Sequence, residues 1–302
     1  MASPPRPGLK VVAIGGGAGL SVTLRAVRRY AADTTAVVAT ADDSGSTGRL
    51  RMAMPMPALG DLRRCLTAIS GQYDAPIGRA MEYRFPGTDV EGHTLGNLLL
   101  VGLAGVTGDF QTAIDEAARL LGVDLATARV FPATVEPVGL RATTRAGCVI
   151  DGQYAISKTP GLIRIALEPP GVRAPAGLVA RIQQADQIVL GPGSVYTSIL
   201  AAALVDDVRA ALAAAAGRRV YVCNLEPEDR ETEDHDVAAH VDALRRHGID
   251  PDLVLVDHMC RIPPGDISIP VVSADLADPG ASVHDSGKLA AALSALVPLP
   301  AR

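Results

Sequence analysis

An apolar run, Val11-Val12-Ala13-Ile14, turns through Gly15-Gly16-Gly17-Ala18-Gly19 into an amphipathic stretch from Leu20 to Tyr30. A buried strand that passes through glycines into a helix sets bare backbone N–H groups at a helix N-terminus. Those amides point outward and the helix dipole favours negative charge, so the arrangement attracts a phosphate. A Cβ at these positions would hold the backbone away from phosphate oxygens. The same loop constrains the fold, because strand–loop–helix units of this kind build α/β sheets.

The remaining pattern agrees. Strands are expected at Lys10–Ile14, Thr35–Ala39, Gln187–Leu190, Val220–Cys223, Leu253–Val256 and near Ile269–Val272. Helical periods fall between them at Leu20–Tyr30, Leu62–Ile69, His93–Ala104, Gln111–Leu121, Tyr196–Leu204 and Val237–His247, with a last one near Gly287–Leu296. Short β-branched runs alternating with Ala/Leu-rich helices predict a mostly parallel sheet with helices on both faces. The stretch 130–168 has short alternating runs and turn pairs such as Asp151-Gly152, and reads as a small antiparallel β insertion. One domain over 9–298, after a flexible proline-rich residue 1–8 segment, is the expected organisation.

Composition narrows the function. A net charge of −5 lacks the basic excess of a general nucleic-acid binder. Cys65, Cys148, Cys223 and Cys260 have no Cys-x-x-Cys spacing, which suggests reduced thiols in a cytoplasmic protein rather than a disulfide frame or zinc site. The apolar stretch Val195–Ala216 is broken by Asp206, Asp207 and Arg209, so no membrane span is expected.

Several strands end in small or polar residues, and ligands of open α/β sheets sit beyond those carboxyl ends. The second strand runs into Asp42-Asp43-Ser44-Gly45-Ser46-Thr47-Gly48-Arg49. Adjacent carboxylates need a cation, hydroxyls or base edges as partners. Asp61 opens a helix, where N-capping alone would explain it. His93 and Asn97 are four apart and share one helical face. A second strand–glycine–helix unit, Gly191-Pro192-Gly193-Ser194-Val195-Tyr196-Thr197, adds hydroxyls at a helix start, and Asn224 follows a later strand. Two such loops could grip two phosphates of one diphosphate. His235, His240 and His258 read as surface, and the acidic run Glu226–Asp236 as a solvated loop. No triad and no metal-ligand spacing stands out, so no catalytic residue is assigned.

The blocks Gly15-Gly-Gly-Ala-Gly-Leu-Ser21, Ala41-Asp-Asp-Ser-Gly-Ser-Thr-Gly-Arg-Leu-Arg51, Gly60-Asp-Leu-Arg63, Gly92-His-Thr-Leu-Gly-Asn-Leu98 and Leu190-Gly-Pro-Gly-Ser-Val-Tyr-Thr197 resemble the YvcK (gluconeogenesis factor) family, itself related to the CofD phospholactate transferases. The resemblance implies a Rossmann-like core that binds UDP-sugars, UDP-N-acetylglucosamine in particular. It also implies a regulatory role in cell-envelope precursor supply, cell shape and gluconeogenic growth; the lack of a recognisable nucleophile or metal cage favours binding over turnover. By matched motif, the ligand would meet Gly15, Gly16, Gly17, Ala18, Gly19, Ser21, Asp42, Asp43, Ser44, Gly45, Asp61, His93, Asn97, Gly191, Pro192, Gly193, Ser194, Tyr196, Thr197 and Asn224. No cofactor is required on this reading. A regulated metabolic enzyme and a second copy of the chain are the expected partners. Arg230 stands where the family has glycine, Glu228 where glutamine is common, and Arg64 where asparagine is usual. The alternative is a Mg²⁺-dependent CofD-like transferase, with Asp42, Asp43 and Asp61 on the metal. An NAD-linked oxidoreductase is the weaker reading, because Leu20 replaces the last glycine of the dinucleotide fingerprint.

Overall fold

The computed structural model describes residues 6–44, 56–87, 89–227 and 230–297. Strands β1 (Arg6–Gly15), β2 (Ala31–Val38) and β3 (Ala128–Pro132) come first in the chain. They are followed by β4 (Gly139–Thr144), β5 (Val149–Asp151) and β6 (Leu162–Glu168). The last four are β7 (Gln187–Leu190), β8 (Arg218–Val222), β9 (Leu253–Asp257) and β10 (Val271–Ala274). Seven of them form one sheet in the order β10-β9-β8-β7-β1-β2-β3, while β5-β4-β6 form a separate sheet. Every pairing in the large sheet is parallel, and both pairings in the small sheet are antiparallel.

The central strand shows why the sheet is covered on both sides. Val12 and Ile14 enter one core cluster, whereas Ala13 enters a second and Val11 a third on the opposite face. With a side-chain period of two, a strand apolar at every position must be buried on both faces. One face is covered by α1 (Gly17–Val27), α2 (Gly60–Ser70), α5 (Phe110–Leu120) and, at the β8–β9 end, α11 (Ser286–Ala295). Beside α2 lie α3 (Pro76–Glu82) and α4 (Leu95–Thr107). The other face carries α7 (Leu178–Gln183), a π-helical turn Val195–Leu200 that runs into α8 (Ala201–Ala203), α9 (Asp206–Ala214) and α10 (Val237–Arg246). The small sheet packs on that same face through Leu140, Ala142, Leu162, Ile165 and Leu167, and α6 (Gln153–Ser157) lies between β5 and β6.

The insertion begins later than the alternating pattern suggests. Ala36 pairs with Val130 and Val37 with Phe131, so this segment is the edge strand of the parallel sheet. Val130 and Phe131 are both fully buried, one in each flanking cluster, which is the signature of a two-faced strand. The antiparallel unit proper starts at Gly139. Among the described residues, no helix is long and apolar enough to cross a membrane.

Candidate functional site

The chain leaves β1 for β2 on one side and later returns to place β7 on the other, so the sheet order reverses at β1. The loops after β1 and β7 therefore meet at a topological switch point. Their approach is close. A Cβ on Gly19 would lie 2.1 Å from the Pro192 carbonyl oxygen, and one on Gly15 3.9 Å from the Gly191 Cα. The Thr23 hydroxyl ties the two together by donating to the Gly191 carbonyl (2.8 Å). At the same edge, beyond β8 and β9, a cavity of about 160 Å³ is lined by Leu225, Glu226, Asp257, Met259 and Arg261 among others. A larger cavity of about 340 Å³, lined by Arg164, Arg209, Arg246 and His247 among others, lies between β6 and α9–α10 and away from the glycine loops.

Both predicted phosphate positions contain a carboxylate of the protein itself. Gly17, first in α1, donates its N–H to Asp61 Oδ2 (2.7 Å), and Arg64 donates to Asp61 Oδ1 (3.1 Å). Asp61 does not cap its own helix, for which Leu59 is the N-cap residue. Burial pushes its carboxyl above the usual range and Asp42 adds to the rise, while Arg64 and the Gly17 amide oppose them. At the second loop the π-helical turn starts against Glu231, which is fully buried. Glu231 accepts from the Tyr196 N–H (3.1 Å), the Thr197 hydroxyl (2.9 Å) and, by a short bond, the Ser194 hydroxyl. A carboxylate at a helix N-terminus gains from the dipole as a phosphate would.

The acidic run Glu226–Asp236 is therefore not simply a solvated loop. Its Arg230–Thr232 turn delivers Glu231 into the core, with Thr232 also buried. Likewise His240 is 1% exposed and His235 half-buried, and only His258 of the three histidines lies at the surface. Nothing in a one-dimensional charge pattern marks which acid of such a run turns inward.

The other expected residues sort by position. The first glycine loop opens to solvent at Ala18, flanked by half-buried Gly17 and Gly19, whereas Gly15, Gly16 and Ser21 are buried. In the second loop Gly191, Pro192, Gly193, Ser194 and Thr197 are all buried, and the Tyr196 ring lies in the core with its hydroxyl donating to the Leu162 carbonyl (3.0 Å). Asn224 clamps Gly193, accepting from its N–H (2.7 Å) and donating to its carbonyl (3.3 Å). Asp42 accepts from the Ser44 N–H and hydroxyl (3.0 and 2.7 Å). Asp43 is turned toward the insertion, where it accepts from the Gln153 and Tyr154 N–H groups at the start of α6 (both 3.0 Å). Gly45 and the rest of that loop to residue 55 lie outside the described residues.

His93 and Asn97 do not share a helix. Thr94 is the N-cap of α4, so half-buried His93 sits in the preceding turn while Asn97 is inside the first turn. Asn97 accepts from Arg63 Nη1 (2.8 Å), which also donates to the Thr94 hydroxyl (2.7 Å). The rest of the buried Arg63 guanidinium makes a paired contact with Glu82 (2.9 and 2.8 Å). Gly96 permits this, because a Cβ there would lie 2.7 Å from the Arg63 Cδ. Thus one turn of α2 holds both the α1 end, through Asp61, and the α4 end, through Arg63. Arg63, Glu82, Glu231 and Ser198, whose hydroxyl oxygen lies 3.4 Å from where a Gly16 Cβ would be, were not singled out by the sequence pattern. Arg63 carries a signal as part of Gly60-Asp-Leu-Arg63, and so does Glu231, which with Thr232 follows Arg230 in a segment that reads Gly-Glu-Thr in the YvcK family. Among the described residues, no group of three or more His, Cys, Asp or Glu side chains is placed to hold a metal.

Fold and site together define a Rossmann-like α/β protein with its crevice at the carboxyl edge of a parallel sheet. The chain belongs to the family described as 2-phospho-L-lactate transferase CofD, whose model matches residues 11–270. It is similar to the gluconeogenesis factor of Halalkalibacterium halodurans, 36% identical over 81% of this chain and 76% of that protein. It is also similar to the putative gluconeogenesis factor of Mycobacterium tuberculosis, at 39% identity over 94% of this chain and 89% of that one. A crystal structure of a UPF0052 family member from Bacillus halodurans superposes with a TM-score of 0.87 at 30% identity, covering 95% of this chain and 99% of the other.

Proposed function

We propose that this chain is a cytoplasmic gluconeogenesis factor that binds a nucleotide-sugar, UDP-N-acetylglucosamine in particular, without turning it over. In this role it reports nucleotide-sugar supply to gluconeogenic growth, envelope precursor synthesis and cell shape. The observation that carries the reading is the first turn of α1, which opens at Ala18 beside the switch-point crevice. Gly17 is already satisfied by Asp61, so the Ala18 and Gly19 amides are the ones that meet a diphosphate oxygen. The buried second loop acts as the wall that fixes Gly19 rather than as a second open cradle. The side chains around the cavity beyond β8 and β9 supply contacts for the rest of an extended ligand. Thermal unfolding tests this: UDP-N-acetylglucosamine raises Tm, and UMP, lacking the second phosphate and the sugar, raises it less. No shift with any UDP-sugar at millimolar concentration overturns the reading.

A second reading rests on Asp42 and Asp61, whose mutual repulsion a divalent cation would relieve. On it the chain is a Mg²⁺-dependent transferase of the CofD kind. Mg²⁺-dependent release of GMP from an activated phospholactate donor would put this reading first.

A further inference from the structure

Two of the four cysteines, distant in sequence, meet at the carboxyl edge. Cys223 follows β8 and donates its N–H to the Leu255 carbonyl of β9 (2.9 Å). After β9 the chain folds back over the end of β8. The Cys260 N–H bonds the Asp257 carbonyl (3.1 Å) and the Arg261 N–H bonds the Leu225 carbonyl (2.8 Å). That turn packs the Cys260 side chain against the core cluster to which Cys223 belongs. The Cys260 thiol also donates to the Asn224 carbonyl (3.3 Å). Cys223 is fully buried, whereas Cys260 is half-buried and reachable from solvent.

We propose that Cys223 and Cys260 form a reversible disulfide under peroxide, and that this bond alters the glycine loop through Asn224. The two sulfurs differ in role. Contact with the Cys223 thiol lowers the Cys260 thiol to about 7, so a large fraction is thiolate at neutral pH. The same contact and burial hold Cys223 well above the usual thiol range. Cys260 is therefore the attacking sulfur and Cys223 the resolving one. The Cys260 thiolate attacks a peroxide oxygen, gives sulfenic acid and releases hydroxide, which takes up the proton lost on ionisation and leaves as water. The Cys223 sulfur then attacks the sulfenic sulfur and a second water leaves. In sum, two thiols and one hydrogen peroxide give one disulfide and two waters.

The consequence reaches the site because the new bond repositions the Cys260 sulfur, which lies 3.3 Å from the Asn224 carbonyl oxygen. Asn224 in turn holds both backbone groups of Gly193, whose neighbour Pro192 packs on Gly19. The disulfide itself does not depend on the proposed ligand; only its effect on ligand binding rests on that reading. The test uses the full chain, treated with hydrogen peroxide, alkylated with iodoacetamide and digested without reductant. The expected product is one cross-linked peptide containing Cys223 and Cys260, returned to two alkylated cysteines by dithiothreitol. In the Cys223→Ser variant, Cys260 remains as a sulfenic acid trapped by dimedone. The oxidised wild-type chain should show at least a threefold weaker response to UDP-N-acetylglucosamine in thermal unfolding, restored by reductant. Peroxide that carries Cys260 to sulfinic acid with Cys223 still alkylatable overturns the disulfide. An unchanged response in the fully oxidised chain overturns the coupling.

Discussion

Glu231 shows how much one side chain can carry. It is fully buried and receives three donors from the start of the π-helical turn. Replacing it by alanine leaves the Tyr196 N–H and one of the Ser194 and Thr197 hydroxyls, which also bond each other, without an acceptor in the core, and each buried group left without a partner costs about 1–3 kcal/mol. Glu231→Ala is therefore expected to destabilise the protein by about 3 kcal/mol or more, read as a lower midpoint in urea. Glu231→Gln keeps one acceptor oxygen but presents an NH₂ group to donors, and should fall between wild type and alanine. A midpoint for Glu231→Ala within error of wild type would mean that the buried contacts are not made in solution. Asp61 is the counterpart at α1, but its side chain is 18% exposed and shared with Arg64, so its truncation should cost less stability. Motif matching marks both Asp61 and Glu231, but the charge pattern reads Glu231 as part of a solvated acidic run, because burial of a single acid is decided by tertiary contacts that charge spacing does not encode.

At the level of elements, the glycine loops owe their geometry to one another. A Cβ on Gly19 would overlap the Pro192 carbonyl at 2.1 Å, and a backbone carbonyl cannot swing aside as a flexible side chain can. Alanine in a helix ordinarily gains up to about 1 kcal/mol over glycine. Overlap with backbone should outweigh this, making Gly19→Ala destabilising by about 1–3 kcal/mol and abolishing the Tm response to UDP-N-acetylglucosamine. Gly102 in α4 is the control, since nothing lies within 4 Å of its ideal Cβ. Gly102→Ala should leave the ligand response intact and stabilise by a few tenths of a kcal/mol to about 1. Equal effects from the two substitutions would remove the packing argument. Periodicity found β7 at its observed bounds and placed β1, β2, β8, β9 and β10 in their correct order along the chain. It missed β3, because Val130-Phe131-Pro132 is too short for alternation to separate a two-faced edge strand from an antiparallel one. The sequence also marked both glycine loops as strand–loop–helix units. What it could not supply was that the second is closed, since that depends on Glu231 arriving from a distant turn.

Across the whole molecule, the insertion and α10 meet along a seam of histidines that ties stability to pH. His247 accepts the Ile165 N–H of β6 at Nε2 (3.0 Å), while its Nδ1 lies 2.7 Å from the Ala243 carbonyl. Those partners require a neutral ring protonated at Nδ1. His240 is stacked on His235 and bonded to the Tyr221 hydroxyl (3.0 Å). Burial lowers all three histidines, with nearby Arg246 also lowering His235 and His247. Burial takes His240 and, near β9, His284 down to about 4. A histidine whose folded value is depressed binds fewer protons in the native than in the unfolded state. Its contribution is fully present above the unfolded value of about 6.5 and is lost as pH falls from there toward about 4. At pH 5 that loss is about 2 kcal/mol for each of His240 and His284. The urea midpoint should therefore drop steadily from pH 7 to pH 5. Hydrogen exchange should quicken first in β6, where protonated His247 can no longer accept from Ile165. A His247→Gln variant keeps an acceptor near Ile165 and should slow that early exchange at pH 5, while the midpoint still falls through His240 and His284. A midpoint independent of pH over this range, with β6 protected throughout, would mean that the seam does not hold its histidines neutral.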